Sequence, residues 1–146
     1  MMAVDIDVVN ITHAIQQAVA PVFLLAGIGG ILNVLTNRLA RIIDRTRLLH
    51  NRLETVSEER SAVIREELAT LTRRARVVHR AIGFSTTSAL LVCVVIAMLF
   101  VSAVMGWNGS IVVASLFVFA MCFLIAALTG FLYEIQLATS IMLNGP

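Results

Sequence analysis

Apolar and polar positions alternate along this chain on two scales. On the large scale, three uncharged apolar stretches, Ala18 to Asn37, Ala81 to Gly106 and Ile111 to Tyr133, are set apart by a charged region and a short turn. Each stretch has the ~20 residues that a helix rising ~1.5 Å per residue needs to cross ~30 Å of hydrocarbon. The pattern predicts three transmembrane helices. On the fine scale, the charged region from Arg38 to Arg80 carries two apolar series in alternating four- and three-residue steps. Leu35, Leu39, Ile42, Thr46, Leu49, Leu53 and Val56 form the first; Ile64, Leu68, Leu71, Ala75, Val78 and Ile82 form the second.

That is coiled-coil spacing. Continued past Val56, the first series would put Arg60, Val63 and Glu67 on the seam, so the phase breaks and the chain is expected to reverse. Folded back, Leu53 faces Ile64, Leu49 faces Leu68, Thr46 faces Leu71, Ile42 faces Ala75 and Leu39 faces Val78, with a constant sum of residue numbers. The fold class expected is therefore an all-α membrane protein, its first two transmembrane helices extended into a cytoplasmic antiparallel coiled-coil hairpin. No Gly or Pro interrupts the passage from Leu35 to Ile42, so the helix should leave the membrane unbroken, for roughly 28 Å at ~1.5 Å per residue. Ser57 is the expected N-cap of the returning helix, with Glu58 and Glu59 at its positive end.

The flanks complete a division into 1–17, 18–37, 38–80, 81–106, 111–133 and 134–146. Residues 1–17 are too polar to span, but Val8, Ile11, Ile15 and Val19 are spaced for an amphipathic interfacial helix leading into the membrane. Pro21 is expected in the first turn of the first span, where a missing N–H is tolerated. Gly27, Gly29 and Gly30 permit close helix contact or a local bend. The hydroxyls of Ser85, Thr86, Thr87 and Ser88 are expected to bond back to their own helix rather than across to a neighbour. Trp107 marks an interface, and the tail after Glu134 should continue as helix and fray at Asn144-Gly145-Pro146.

Composition supports the membrane reading: mean hydropathy is +0.93 and 59% of residues are hydrophobic, beyond the needs of a soluble domain of this size. All 11 basic residues are arginine. A net charge of +2 and the lack of any aromatic between Arg38 and Arg80 do not suggest a nucleic-acid binder. Cys93 and Cys122 lie in apolar runs, imply no disulfide framework, and are expected to be small buried side chains. Asp5 and Asp7 stand where a secretory signal would be positive, so no cleaved signal peptide is expected.

Charge is unevenly spread over the hairpin. Arg38, Arg41, Arg45, Arg47, Arg73, Arg74, Arg76 and Arg80 lie towards the membrane with only Asp44 among them, while Glu54, Glu58, Glu59, Glu66 and Glu67 lie towards the tip. By the positive-inside rule this connection is cytoplasmic, with the N-terminus outside and the C-terminus inside. Arg38, Arg41, Arg45, Arg73, Arg74, Arg76 and Arg80 form a belt that either sets topology alone or holds anionic lipid head groups.

At ~100° per residue, Gly30, Asn33, Asn37, Arg41 and Asp44 share the face of the first helix opposite the Leu35 seam. Asparagines at membrane depth face other helices or a wet cavity, so the stripe either bonds between helices of one chain or lines an aqueous axis in a homo-oligomer. Glu134, alone at the end of the third span, is level with Arg38 and Arg80 and is expected to form an ion pair with Arg38, Arg41 or Arg80; the alternative is a proton-relay or cation site. No catalytic constellation, phosphate-binding loop or cofactor motif occurs. His13 stands alone, and His50 and His79 lie too far apart for a shared metal.

Four runs carry a resemblance: Ala20-Pro21-Val22, Asn37-Arg38-Leu39-Ala40-Arg41-Ile42-Ile43-Asp44-Arg45, Leu71-Thr72-Arg73-Arg74-Ala75 and Tyr133-Glu134-Ile135. From about Ile11 to Ala138 the chain resembles the domain of unknown function 2721 family of small bacterial integral-membrane proteins. The resemblance implies a bacterial inner-membrane location and three spans, and brings no activity or cofactor. Three helices this small hardly enclose a pathway alone, so a homo-oligomer is expected. Either a pore forms on its axis or the hairpins present a scaffold to a cytoplasmic protein partner or to anionic lipid.

Overall fold

The computed structural model describes residues 2–143, and the side chains of residues 8–136. These residues form three helices, α1 (Met2–Leu53), α2 (Glu58–Met105) and α3 (Ser110–Leu143), each long and apolar enough to cross a membrane. The expected fraying at Asn144-Gly145-Pro146 lies outside the described residues.

Two turns separate the helices, and local chemistry fixes both. At the first, Thr55 N donates to Arg52 O at 3.1 Å, and the Ser57 carbonyl accepts from Arg60 N and Ser61 N, each at 3.1 Å. Glu58 and Glu59 then occupy the positive end of α2. At the second, Gly106 adopts φ 63°, the left-handed conformation in which glycine commonly ends a helix. Ser102 Oγ donates to Trp107 O at 2.8 Å. Gly109 lies against the Trp107 indole, where an added Cβ would come within 3.1 Å of Cζ3.

The helices pack as two units. The first, Met1–Ile31 with Phe84–Ile125, buries Ala14, Ala18 and Ile28 of α1, Ser85, Ser88, Val92 and Val95 of α2, and Ala120 and Leu124 of α3. Most of these are small side chains. Ser88 Oγ donates across to Ala120 O at 2.7 Å, and the Phe84 and Phe123 rings stand 5.9 Å apart. The outer surface is apolar: Phe23 is 74% exposed and Ile111 81%.

The second unit, Leu32–Gly83 with Ala126–Pro146, buries Leu35, Ile42 and Leu49 of α1, Leu71, Val78 and Ala81 of α2, and Ala127 and Glu134 of α3. Leu39, Thr46, Leu53, Ile64, Leu68, Ala75 and Ile82 are half-buried. Burial thus recurs in four- and three-residue steps on both helices. Arg45 and Glu67, at nearly equal distances from the first turn, are joined by bonds from Nε at 3.1 Å and Nη2 at 2.9 Å.

Three expectations are corrected. Residues 2–17 are continuous with the rest of α1. Their apolar residues Val8, Ile11, Ile15 and Val19 face outward, while Asn10, His13 and Gln17 line a cleft with Leu99 and Ser102 of α2. Pro21 therefore falls well inside α1, where its missing N–H leaves the carbonyl of Gln17 without its usual helical partner. Cys93 and Cys122 are exposed; an apolar run records that a helix is solvated by lipid, not which side turns inward. Ser88 bonds to another helix rather than its own, because the opposing Ala120 lets a backbone carbonyl come close enough to accept.

Candidate functional site

The outward stripe of α1 begins at glycines that touch nothing. Among the described residues, an added Cβ at Gly27, Gly29 or Gly30 would meet no atom within 4 Å. Asn33, Asn37, Arg41 and Asp44 are all exposed below them. Asn37 Nδ2 donates to Asn33 Oδ1 at 3.3 Å, one turn away on the same helix. The two amides thus form a ladder along α1, each with hydrogen-bonding capacity to spare. Thr36, beside them, turns its hydroxyl back to the carbonyls of Leu32 and Asn33 at 2.9 and 3.0 Å.

Glu134 is the centre of a second cluster. Its side chain is 2% exposed and accepts from Arg38 Nη1 of α1 and, at 3.0 Å, from Arg74 Nη2 of α2. Arg38 also lies over the Phe131 ring, 5.4 Å from its centroid, so aromatic and carboxylate together fix its plane. Arg41 and Ile42 complete a cleft of about 240 Å³ with Arg38, Arg74 and Glu134. Among the described residues, Arg74 Nε is buried and donates to no acceptor.

The sequence placed Arg80 beside Glu134; the structure sets Arg74 there, and Arg80 is exposed. Helical phase explains the exchange. Arg38 lies three residues after buried Leu35 and four before buried Ile42, and Arg74 lies identically between Leu71 and Val78. Both therefore emerge from the packed faces of their helices. Arg80, two residues past Val78, points away from that face. Of the remaining belt, Arg45 is bound to Glu67, and Arg73 and Arg76 are exposed. Among the described residues no three His, Cys, Asp or Glu side chains gather as a metal site.

The family model described as a protein of unknown function, DUF2721, matches residues 18–143. The chain belongs to the DUF2721 family. No curated protein and no solved structure matches it. The DUF2721 match takes in the amide ladder, both Glu134-bound arginines and Glu134 itself, so the two clusters are features of the family-matched region. Sequence reasoning missed Arg74 and Phe131 as neighbours of Glu134. A signal was present: Ala120, Leu124, Ala127, Phe131 and Glu134 run in four- and three-residue steps, and the structure buries or half-buries every one.

Proposed function

We propose that this protein is a non-enzymatic, homo-oligomeric protein of the bacterial inner membrane in which α1 of each copy faces a common axis and lines an ion-conducting pore. The observation that carries the reading is the exposed face of α1: glycines with open space above, then amides and charges laddered one turn apart. Glycines at membrane depth permit close backbone approach, and a symmetric assembly is the economical way to cover them. Stacked around an axis, Asn33 and Asn37 become rings of amide that replace water around a passing ion. Arg41 and Asp44 continue the rings at the cytoplasmic mouth, where Arg41 would oppose cations and Asp44 offset it, so a lean towards anions is expected. The arginine-rich connection is cytoplasmic and the N-terminus outside, as the positive-inside rule requires.

In liposomes the wild-type protein should pass small ions. Asn33→Leu with Asn37→Leu should abolish the flux while leaving the oligomer intact. No flux under varied voltage, pH and tension from an intact ring would overturn the pore. Orientation is read separately: a cysteine replacing Glu59 should be shielded from an impermeant thiol reagent in intact cells, and one replacing Asn108 should react.

A second reading, a non-conducting scaffold, draws on the cytoplasmic coiled-coil hairpin we assign to α1 and α2. Val63, near its tip, is 66% exposed among glutamates, an apolar point on an otherwise solvated end. Cysteines at Leu49 and Leu68 should crosslink and those at Leu49 and Leu71 should not; equal crosslinking removes this register. Monomers or dimers by native mass would favour the scaffold.

A further inference from the structure

The Glu134 cluster carries more positive charge than its own contacts use. Arg38, Arg41 and Arg74 line one cleft of about 240 Å³, and the carboxylate among the lining groups is that of Glu134. Glu134 holds Arg38 and Arg74 by one terminal nitrogen each, which leaves donors of both guanidinium forks unclaimed among the described residues. Arg74 Nε is buried with no acceptor among the described residues, and a buried donor left so is costly. Arg41 is exposed at the rim. The Phe131 ring holds the Arg38 plane, so ordering that side chain is largely done before a ligand arrives. The arrangement presents three guanidiniums, two of them anchored, around a space large enough for a tetrahedral anion. Among the described residues its lining carries a surplus of two positive charges over Glu134.

We infer that this cleft binds a phosphate group, held by Arg38, Arg41 and Arg74 and positioned by Glu134. Planar guanidinium forks match phosphate oxygens in pairs, and a doubly charged anion neutralises the surplus. Glu134 here acts as a positioning residue: it fixes two arginines at the wall of the cleft. Inorganic phosphate and the phosphodiester of an anionic lipid share this chemistry. Unlike the arginine belt as a whole, whose field is diffuse and screened by salt, the cleft is a single saturable site.

The test uses the full-length protein in neutral detergent, with two arms. Inorganic phosphate is titrated by calorimetry, and retention of added phosphatidylglycerol against phosphatidylcholine is read by native mass spectrometry. Saturation at one phosphate per chain identifies a free anion as ligand; selective retention of one phosphatidylglycerol per chain, without phosphate heat, identifies a lipid head group. In whichever arm responds, Arg41→Gln should weaken binding by ~10-fold or more, whereas Arg47→Gln, an equal loss of charge outside the cleft, should leave it unchanged. Should Arg41→Gln fail to fold, Arg41→Lys replaces it, with the same contrast to Arg47→Gln expected. Absence of saturable binding in both arms, or equal losses in the Arg41 and Arg47 variants, overturns the site.

Discussion

The two packed units of this chain use the same helices and opposite chemistries. In the first, contact is made through Ala14, Ala18, Ser88 and Ala120, the cross-helix bond from Ser88 joins side chain to backbone, and the largest apolar side chains face outward. In the second, Leu35, Ile42, Leu49, Leu71 and Val78 are turned in, and the exposed surface carries the charges. It is the difference expected if, as proposed, the first unit is solvated by lipid and the hairpin of the second by water. Lipid tails are as apolar as leucine, so burying Leu there yields little and close approach of small residues matters more. Water rewards the burial of large aliphatic side chains, at ~25 cal/mol per Å² of apolar surface. Glu134 belongs to neither pattern: it is a charge at a buried position, retained because two arginines reach it.

The sharpest break of this contrast lies at Glu134. Removing its carboxylate leaves two guanidiniums without a partner, so Glu134→Gln should destabilise by about 3 kcal/mol, the low end of the range for breaking a buried pair because both arginines touch solvent. Glu67→Gln removes the exposed partner of Arg45 and should cost less than ~1 kcal/mol. Unfolding in mixed micelles measures both, and equal losses would erase the distinction between the pairs.

Next in size is the seam. Leu49→Ala should cost ~2–4 kcal/mol through lost burial and a residual cavity. Phe23→Ala, on the outward face of the first unit, should stay within ~0.5 kcal/mol. A loss above ~2 kcal/mol at Phe23 would show that another copy of the chain covers it.

A smaller change is expected at Ser88→Ala, about 0.6 kcal/mol by analogy with hydrogen bonds between membrane helices. The smallest concerns Gly109→Ala, which must push the Trp107 indole aside. A shift in tryptophan emission with melting moved by less than ~0.5 kcal/mol is the expected outcome, and an unchanged emission would mean that the ring and Gly109 are not in contact.

Much of the fold was legible because its signals are local or periodic. The length of each apolar stretch, the phase break after Val56 and Ser57 before two glutamates are each read from spacing along the chain. The candidate site was only half legible. Asn33 and Asn37 could be placed on the face opposite the Leu35 seam by counting residues, but the exposure of that face could not be read that way, and Glu134 could be matched to arginines only by level in the membrane. Level does not separate Arg74 from Arg80; helical phase does, and the phase of α3 runs through alanines too inconspicuous to mark a seam. Burial of Cys93 and Cys122 failed for a related reason, since hydropathy has no direction.

The sequence by itself determined that there are three helices, where they turn, and which face of α1 is polar, because these depend on spacing along one chain and on the length needed to cross a bilayer. Tertiary structure alone decided that Ser88 reaches Ala120 and that Arg74 shares Glu134 with Arg38. Those outcomes depend on the rotation of one helix against another. That rotation is set by how side chains of all three helices fill the space between them, a sum of many weak contacts that no single stretch of sequence contains.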